Sequence, residues 1–105
     1  MTAKEFILSI PDKVDSRKLE GVDTNFQFDV SGERGGQFTV IVKDGQVQAL
    51  EGFEGQAKCV ISGSDKSMFD LLNGKLNPMM ALLTKKVRVS DKQELMKNAR
   101  IIGLI

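Results

Sequence analysis

Residues 24–50 read TNFQFDVSGERGGQFTVIVKDGQVQAL, and their alternation decides the fold. Phe26, Phe28 and Val30 alternate with Asn25, Gln27 and Asp29, and Phe38, Val40 and Val42 repeat the pattern after the glycine-rich GERGG turn. A period of two puts one set of side chains on a buried face and the other on a polar face, the signature of strands. Asp44–Gly45 marks a tight hairpin, because both central residues of a type I′ turn require positive φ. QVQALEGF is then a third strand, and AKCVIS a fourth, with Ala57, Cys59 and Ile61 on one side.

On either side of this meander the period is helical. Ala3–Ile10 places Phe6, Ile7 and Ile10 near one face, and Pro11 is expected to stop the helix. A short turn over Ser16–Leu19 follows Asp15 as N-cap and ends before Gly21. Ser64 is the expected N-cap of DKSMFDLLNG, with Met68, Leu71 and Leu72 at i, i+3 and i+4 and Asn73–Gly74 as the stop. Asn77 caps a third helix with Pro78 at its first position, where a missing N–H costs nothing. KVRVS alternates as a fifth strand with Val87 and Val89 inward. Asp91 and Glu94 suggest a capping box for a last helix through Leu95, Met96, Ala99 and Ile102.

The order is helix, four strands, two short helices, strand, helix. It predicts one α+β domain over residues 1–105, a five-stranded, mainly antiparallel sheet with helices on one face.

Composition removes several chemistries. The chain has no histidine and a single cysteine, so an internal disulfide and a histidine-based triad or zinc cluster are excluded. Cys59 sits on an apolar strand face and reads as a small buried hydrophobe rather than a nucleophile. Gly35–Gly36 lies between strands with no following GK[ST], so it is a turn and not a phosphate loop. The aspartates form no spaced acid–base or metal pair. A non-enzyme without metal or cofactor is expected. Net charge is +1, from 15 basic and 14 acidic residues, and gives no signal for nucleic acid. The segment from Thr84 onward is locally cationic, with six basic residues against two acidic ones, which suits transient contact with an anionic membrane surface. No apolar run approaches the ~18 residues needed to span a bilayer, and the N-terminal apolar stretch is too short for a signal peptide. The expected location is cytoplasmic.

The segment NPMMALLTKK, residues 77–86, is apolar around a whole short helix. A sheet covers one side, so a second apolar partner is needed: a ligand, a subunit or a membrane.

FQFDVSGERGGQFTVIVKDGQV, AKCVIS and SMFDLLNGKLNPMMALLTKKVRVS together resemble the sterol carrier protein family, the sterol-binding domain of non-specific lipid-transfer proteins. The similarity covers nearly the whole chain in the family's order and spacing. It implies that sheet and helices enclose an apolar tunnel for lipids such as fatty acids, acyl-CoA, isoprenoids or sterols. Carried over to this chain, the expected tunnel walls are Phe26, Phe28, Phe38, Val40 and Cys59 on strands. On helices they are Met68, Phe69, Leu72, Met79, Met80, Leu82 and Leu83. The chain departs from the family's usual glycines at Lys85 and Asp91, and it resembles the stand-alone type without a peroxisomal signal or fused enzyme.

The implied function is binding, with intracellular transfer, of lipids of broad structure, since buried apolar area gains roughly 25 cal/mol per Å² without polar contacts. At about 24 cal/mol per Å³, a dry void of ~400 Å³ costs on the order of 10 kcal/mol. An unliganded tunnel should therefore be wet, lipid-filled or collapsed. Two alternatives are a protein-interaction module that forms a homodimer through the 77–83 helix or the IIGLI tail, and an accessory domain of a lipid-modifying enzyme.

Overall fold

The computed structural model describes residues 2–98 and 101. Its elements are α1 (Ala3–Lys13), a 3-10 turn (Ser16–Leu19), β1 (Thr24–Ser31), β2 (Gly36–Lys43), β3 (Gln46–Glu51), β4 (Cys59–Ser64), α2 (Asp65–Leu72), α3 (Pro78–Leu83), β5 (Val87–Val89) and α4 (Lys92–Lys97). The sheet order is β3-β2-β1-β4-β5. β1 pairs parallel with β4, and the other three pairings are antiparallel, as the α+β reading requires.

The local signals act as expected at most termini. Asp44 and Gly45 both have positive φ, 54° and 75°, which closes the β2–β3 hairpin. Ser64 Oγ accepts from the Ser67 N–H, and Asn77 Oδ1 accepts from the N–H groups of Met79 and Met80. Asp91 Oδ1 accepts from the Glu94 N–H and starts α4, but Glu94 does not complete the expected capping box, its carboxylate bonding Thr24 and Asn98 instead. Thr2 and Glu5 form a reciprocal capping box at the start of α1.

Two expectations are corrected. Pro11 does not stop α1, which continues to Lys13. The proline lies in the last turn, where its missing N–H removes one ladder bond and its fixed φ is already helical. Asn25 and Gln27, assigned by alternation to a solvent face, are buried along with Thr39. The β3–β4 connection folds back over that face. Thr39 Oγ1 donates to the Gly52 carbonyl at 2.7 Å and accepts from the Glu54 N–H, while Asn25 Nδ2 donates to the Glu54 carbonyl at 3.0 Å. The loop's backbone supplies partners for Thr39 Oγ1 and for the amide groups of Asn25 and Gln27, and leaves Asn25 Oδ1 buried without one.

The other sheet face carries the core. Ile7 and Ile10 of α1, Met68, Leu71 and Leu72 of α2, Ala81 of α3 and Leu95 of α4 pack with the strand residues into one cluster. The expected continuation of α4 through Ala99 and Ile102 lies outside the described residues, as does most of the IIGLI tail. No helix among the described residues is long and apolar enough to cross a membrane.

Candidate functional site

Register places the five strand candidates in two adjacent rows on the inner face. Val40, Phe26 and Cys59 lie side by side across β2, β1 and β4, and Phe38, Phe28 and Ile61 form the next row. All are buried. Met68 and Leu72, one helical turn apart on α2, close over the same cluster. Phe69 flanks it, its ring edge-on to Phe6 of α1 with centroids 6.4 Å apart.

These eight residues are therefore brought together. The four on α3 are not. Leu82 is half-buried, while Met79, Met80 and Leu83 are 55%, 51% and 73% exposed. α3 is too short to bury more than one stripe, and Ala81 is its buried residue. The second side of this over-apolar helix thus faces solvent.

Five surface concavities are lined by described residues, and none of these five includes any of the twelve candidates. On the inner face the eight strand and α2 candidates belong to one apolar cluster. The largest of these five, about 440 Å³, lies between the end of α1 and the end of α4. Val14, Val22 and Ile101 form its apolar wall, and Lys13, Asp15, Lys97 and Asn98 its polar rim. Beneath it Leu19, Val42 and Ile101 form a second, smaller apolar cluster. Val14 packs against both this cluster and the main core, so it connects the hollow with the inner sheet face.

Sequence reasoning missed this hollow because its walls come from segments far apart in the chain. Val14 and Val22 flank the 3-10 turn without a helical or strand period, and Ile101 lies beyond α4. The only local signal is that Val14, Leu19 and Val22 are isolated apolar residues in an otherwise polar connection.

Cys59 behaves as the packed hydrophobe expected from its strand position. It is fully buried, and its thiol donates to the Asp91 carbonyl at 3.5 Å. Burial pushes its pKa up, and the nearby Asp91 and Glu94 carboxylates push the same way. A thiol held protonated is a poor nucleophile. No group of three or more His, Cys, Asp or Glu among the described residues is arranged to hold a metal.

The sequence matches the SCP-2 sterol transfer family over residues 3–102. No curated protein matches it. Among solved structures, the sterol carrier protein domain 2 of Helicoverpa armigera is similar at 20% identity and a TM-score of 0.74, covering 95% of this chain and 84% of that one. Palmitated SCP2L2 from Aedes aegypti is similar at 22% identity and 0.72, covering 97% and 95%. The stereoselective inverting sec-alkylsulfatase from Pseudomonas sp. is similar at 15% identity and 0.81, covering all of this chain but 16% of that one.

Proposed function

The chain belongs to the SCP-2 sterol transfer family, a lipid-binding module, and from that premise we propose that it carries one apolar lipid chain between its sheet and helices. Access is through the hollow at Val14, Val22 and Ile101. The observation that carries this reading is the position of Val14, packed at once against the core cluster and the cluster beneath the hollow. A ligand entering there meets continuous apolar surface leading to Phe26, Phe28, Phe38, Val40, Cys59, Met68, Phe69 and Leu72.

Lys13 and Lys97 at the rim suit a carboxylate or phosphate head left near water, while the chain beyond it needs no polar partner. The palmitated state of the Aedes aegypti relative supports a fatty-acyl ligand here. Because these inner-face side chains belong to one apolar cluster, uptake requires them to be displaced. Met68 is suited to this, being unbranched and adaptable. No catalytic step is assigned to the chain: it has no histidine, and its one thiol is buried and protonated.

Native mass spectrometry of the purified protein, with displacement of a fluorescent fatty acid, tests the proposal. Carried-over lipid and saturable uptake are expected. Absence of both would refute it. A second reading, an accessory module for a lipid-modifying enzyme, is favoured by the sec-alkylsulfatase whose much longer chain includes this fold.

A further inference from the structure

We propose that α3 and the turn after it form a docking surface for an anionic lipid bilayer. The proposal rests on the carrier reading for its purpose, since a carrier must meet membranes, but it uses a different part of the molecule.

At about 100° per residue, Met79, Met80 and Leu83 fall within one arc of α3, with Leu83 between the two methionines. All three are more than half exposed, whereas Ala81, on the opposite side, is buried and seats the helix on the core. An exposed contiguous apolar stripe marks an interaction surface.

The chain leaves this stripe through Thr84 into Lys85 and Lys86, then Arg88 on β5. These three cations line a hollow of about 240 Å³ with Ser31, Ser62, Gly63 and one carboxylate, Asp29. Register sets Asp29, Ser62 and Arg88 side by side across β1, β4 and β5. The ion pairs among the described residues lie elsewhere: Lys4 with Glu51, Arg17 with Asp15, and Lys66 with Asp70. Lys85, Lys86 and Arg88 thus have charge to offer an external anion.

Exposed apolar side chains on α3, followed within three residues of Leu83 by Lys85 and Lys86, match the two layers of an anionic bilayer surface, acyl chain below and phosphate above. A second copy of this chain matches less well. A two-fold contact through the stripe repeats the same surface on both sides, so it opposes lysine to lysine at the rim.

Co-sedimentation with phosphatidylcholine vesicles, with and without phosphatidylglycerol, tests the surface. The protein should partition onto the mixed vesicles and be released by salt. Lys85→Gly combined with Lys86→Gln should weaken partitioning about twenty-five-fold, at about five-fold per cation, and Leu83→Ser should weaken it on the same vesicles. Glycine suits the left-handed backbone at position 85, so the double variant keeps the fold. Its fatty-acid uptake without vesicles should equal that of the wild type. Equal partitioning of wild type and both variants overturns the proposal. So does a dimer that Leu83→Ser dissolves while vesicles bind nothing. Loss of fatty-acid uptake by the wild type itself defeats only the carrier reading, and the vesicle comparison still decides the docking surface.

Discussion

Lys85 adopts after α3 the left-handed conformation that Gly74 adopts after α2, with φ of +60° and +81°. The two turns are built alike. The N–H groups of Gly74 and Lys75 donate to the carbonyls of Leu71 and Asp70, and those of Lys85 and Lys86 donate to the carbonyls of Leu82 and Ala81. Both are Schellman motifs, in which the left-handed position favours glycine. A side chain there costs about 1–2 kcal/mol, partly offset because glycine has more unfolded-state entropy to lose. Lys85→Gly should therefore stabilise the protein by about 0.5–1 kcal/mol. Gly74→Lys should destabilise it by at least as much. Urea denaturation checks both, and an unchanged or lower midpoint for Lys85→Gly would contradict the strain argument.

The resemblance marks position 85 as a departure from glycine, and the backbone gives that departure a physical meaning. Other local signals were equally readable: Asp44–Gly45 fixed a two-residue turn, and the alternation about Phe26 and Phe38 fixed which face is inward. The parallel neighbour of β1 was not readable, because periodicity assigns a face to Phe26 and Cys59 but not an adjacency. Nor was the burial of Asn25, Gln27 and Thr39, which depends on carbonyls offered by a loop from beyond β3. At the candidate site, apolar character alone made Met79 resemble Met68. Only the packing separates the fully buried Met68 from the exposed Met79.

Glu94 ties the last helix to the first strand. Its Oε2 accepts from Thr24 Oγ1 at 2.6 Å and from Asn98 Nδ2 at 2.8 Å, and both donors belong to buried residues. Glu94→Ala strands the Thr24 hydroxyl and removes one of the two acceptors of Asn98 Nδ2, which keeps the backbone carbonyl of residue 94, at a cost of about 1–3 kcal/mol. The thermal midpoint should fall by about 4–8 °C per kcal/mol for a domain of this size. Glu94→Gln keeps an acceptor and should lose less. Equal midpoints for wild type and Glu94→Ala would show that this link contributes nothing.

The Cys59 thiol, held above its ordinary pKa chiefly by burial, makes a pH prediction. The unfolded thiol ionises near about 8.5, while the folded one keeps its proton to higher pH. The folded state thus binds the proton more tightly. Its contribution to stability is complete below about pH 8.5 and is lost as pH rises through the folded value. Wild-type stability should fall more steeply than that of Cys59→Ala between neutral pH and about pH 10. Parallel slopes would contradict this. Alkylation by iodoacetamide at neutral pH should be slow until denaturant is added.

On the carrier reading proposed above, ligand uptake should be felt as stability. Phe26, Phe28, Phe38 and Met68 belong to one buried cluster on the inner face, so on that reading a lipid chain enters by displacing them. The net gain reads out by mass action: about 2.7 kcal/mol at a hundred-fold excess of free ligand over Kd. Fatty acid should raise the thermal midpoint in proportion to the logarithm of its free concentration, and delipidation should lower it. Val22, half-buried and on the wall of the 440 Å³ hollow, separates access from core packing. Val22→Trp should slow or abolish uptake by filling the hollow, while the unliganded protein keeps a midpoint within a few degrees of wild type. Binding kinetics with a fluorescent fatty acid, beside a melting curve of each unliganded protein, distinguish blockage from unfolding. Unaltered uptake by a folded Val22→Trp variant would move the point of access away from the α1–α4 hollow.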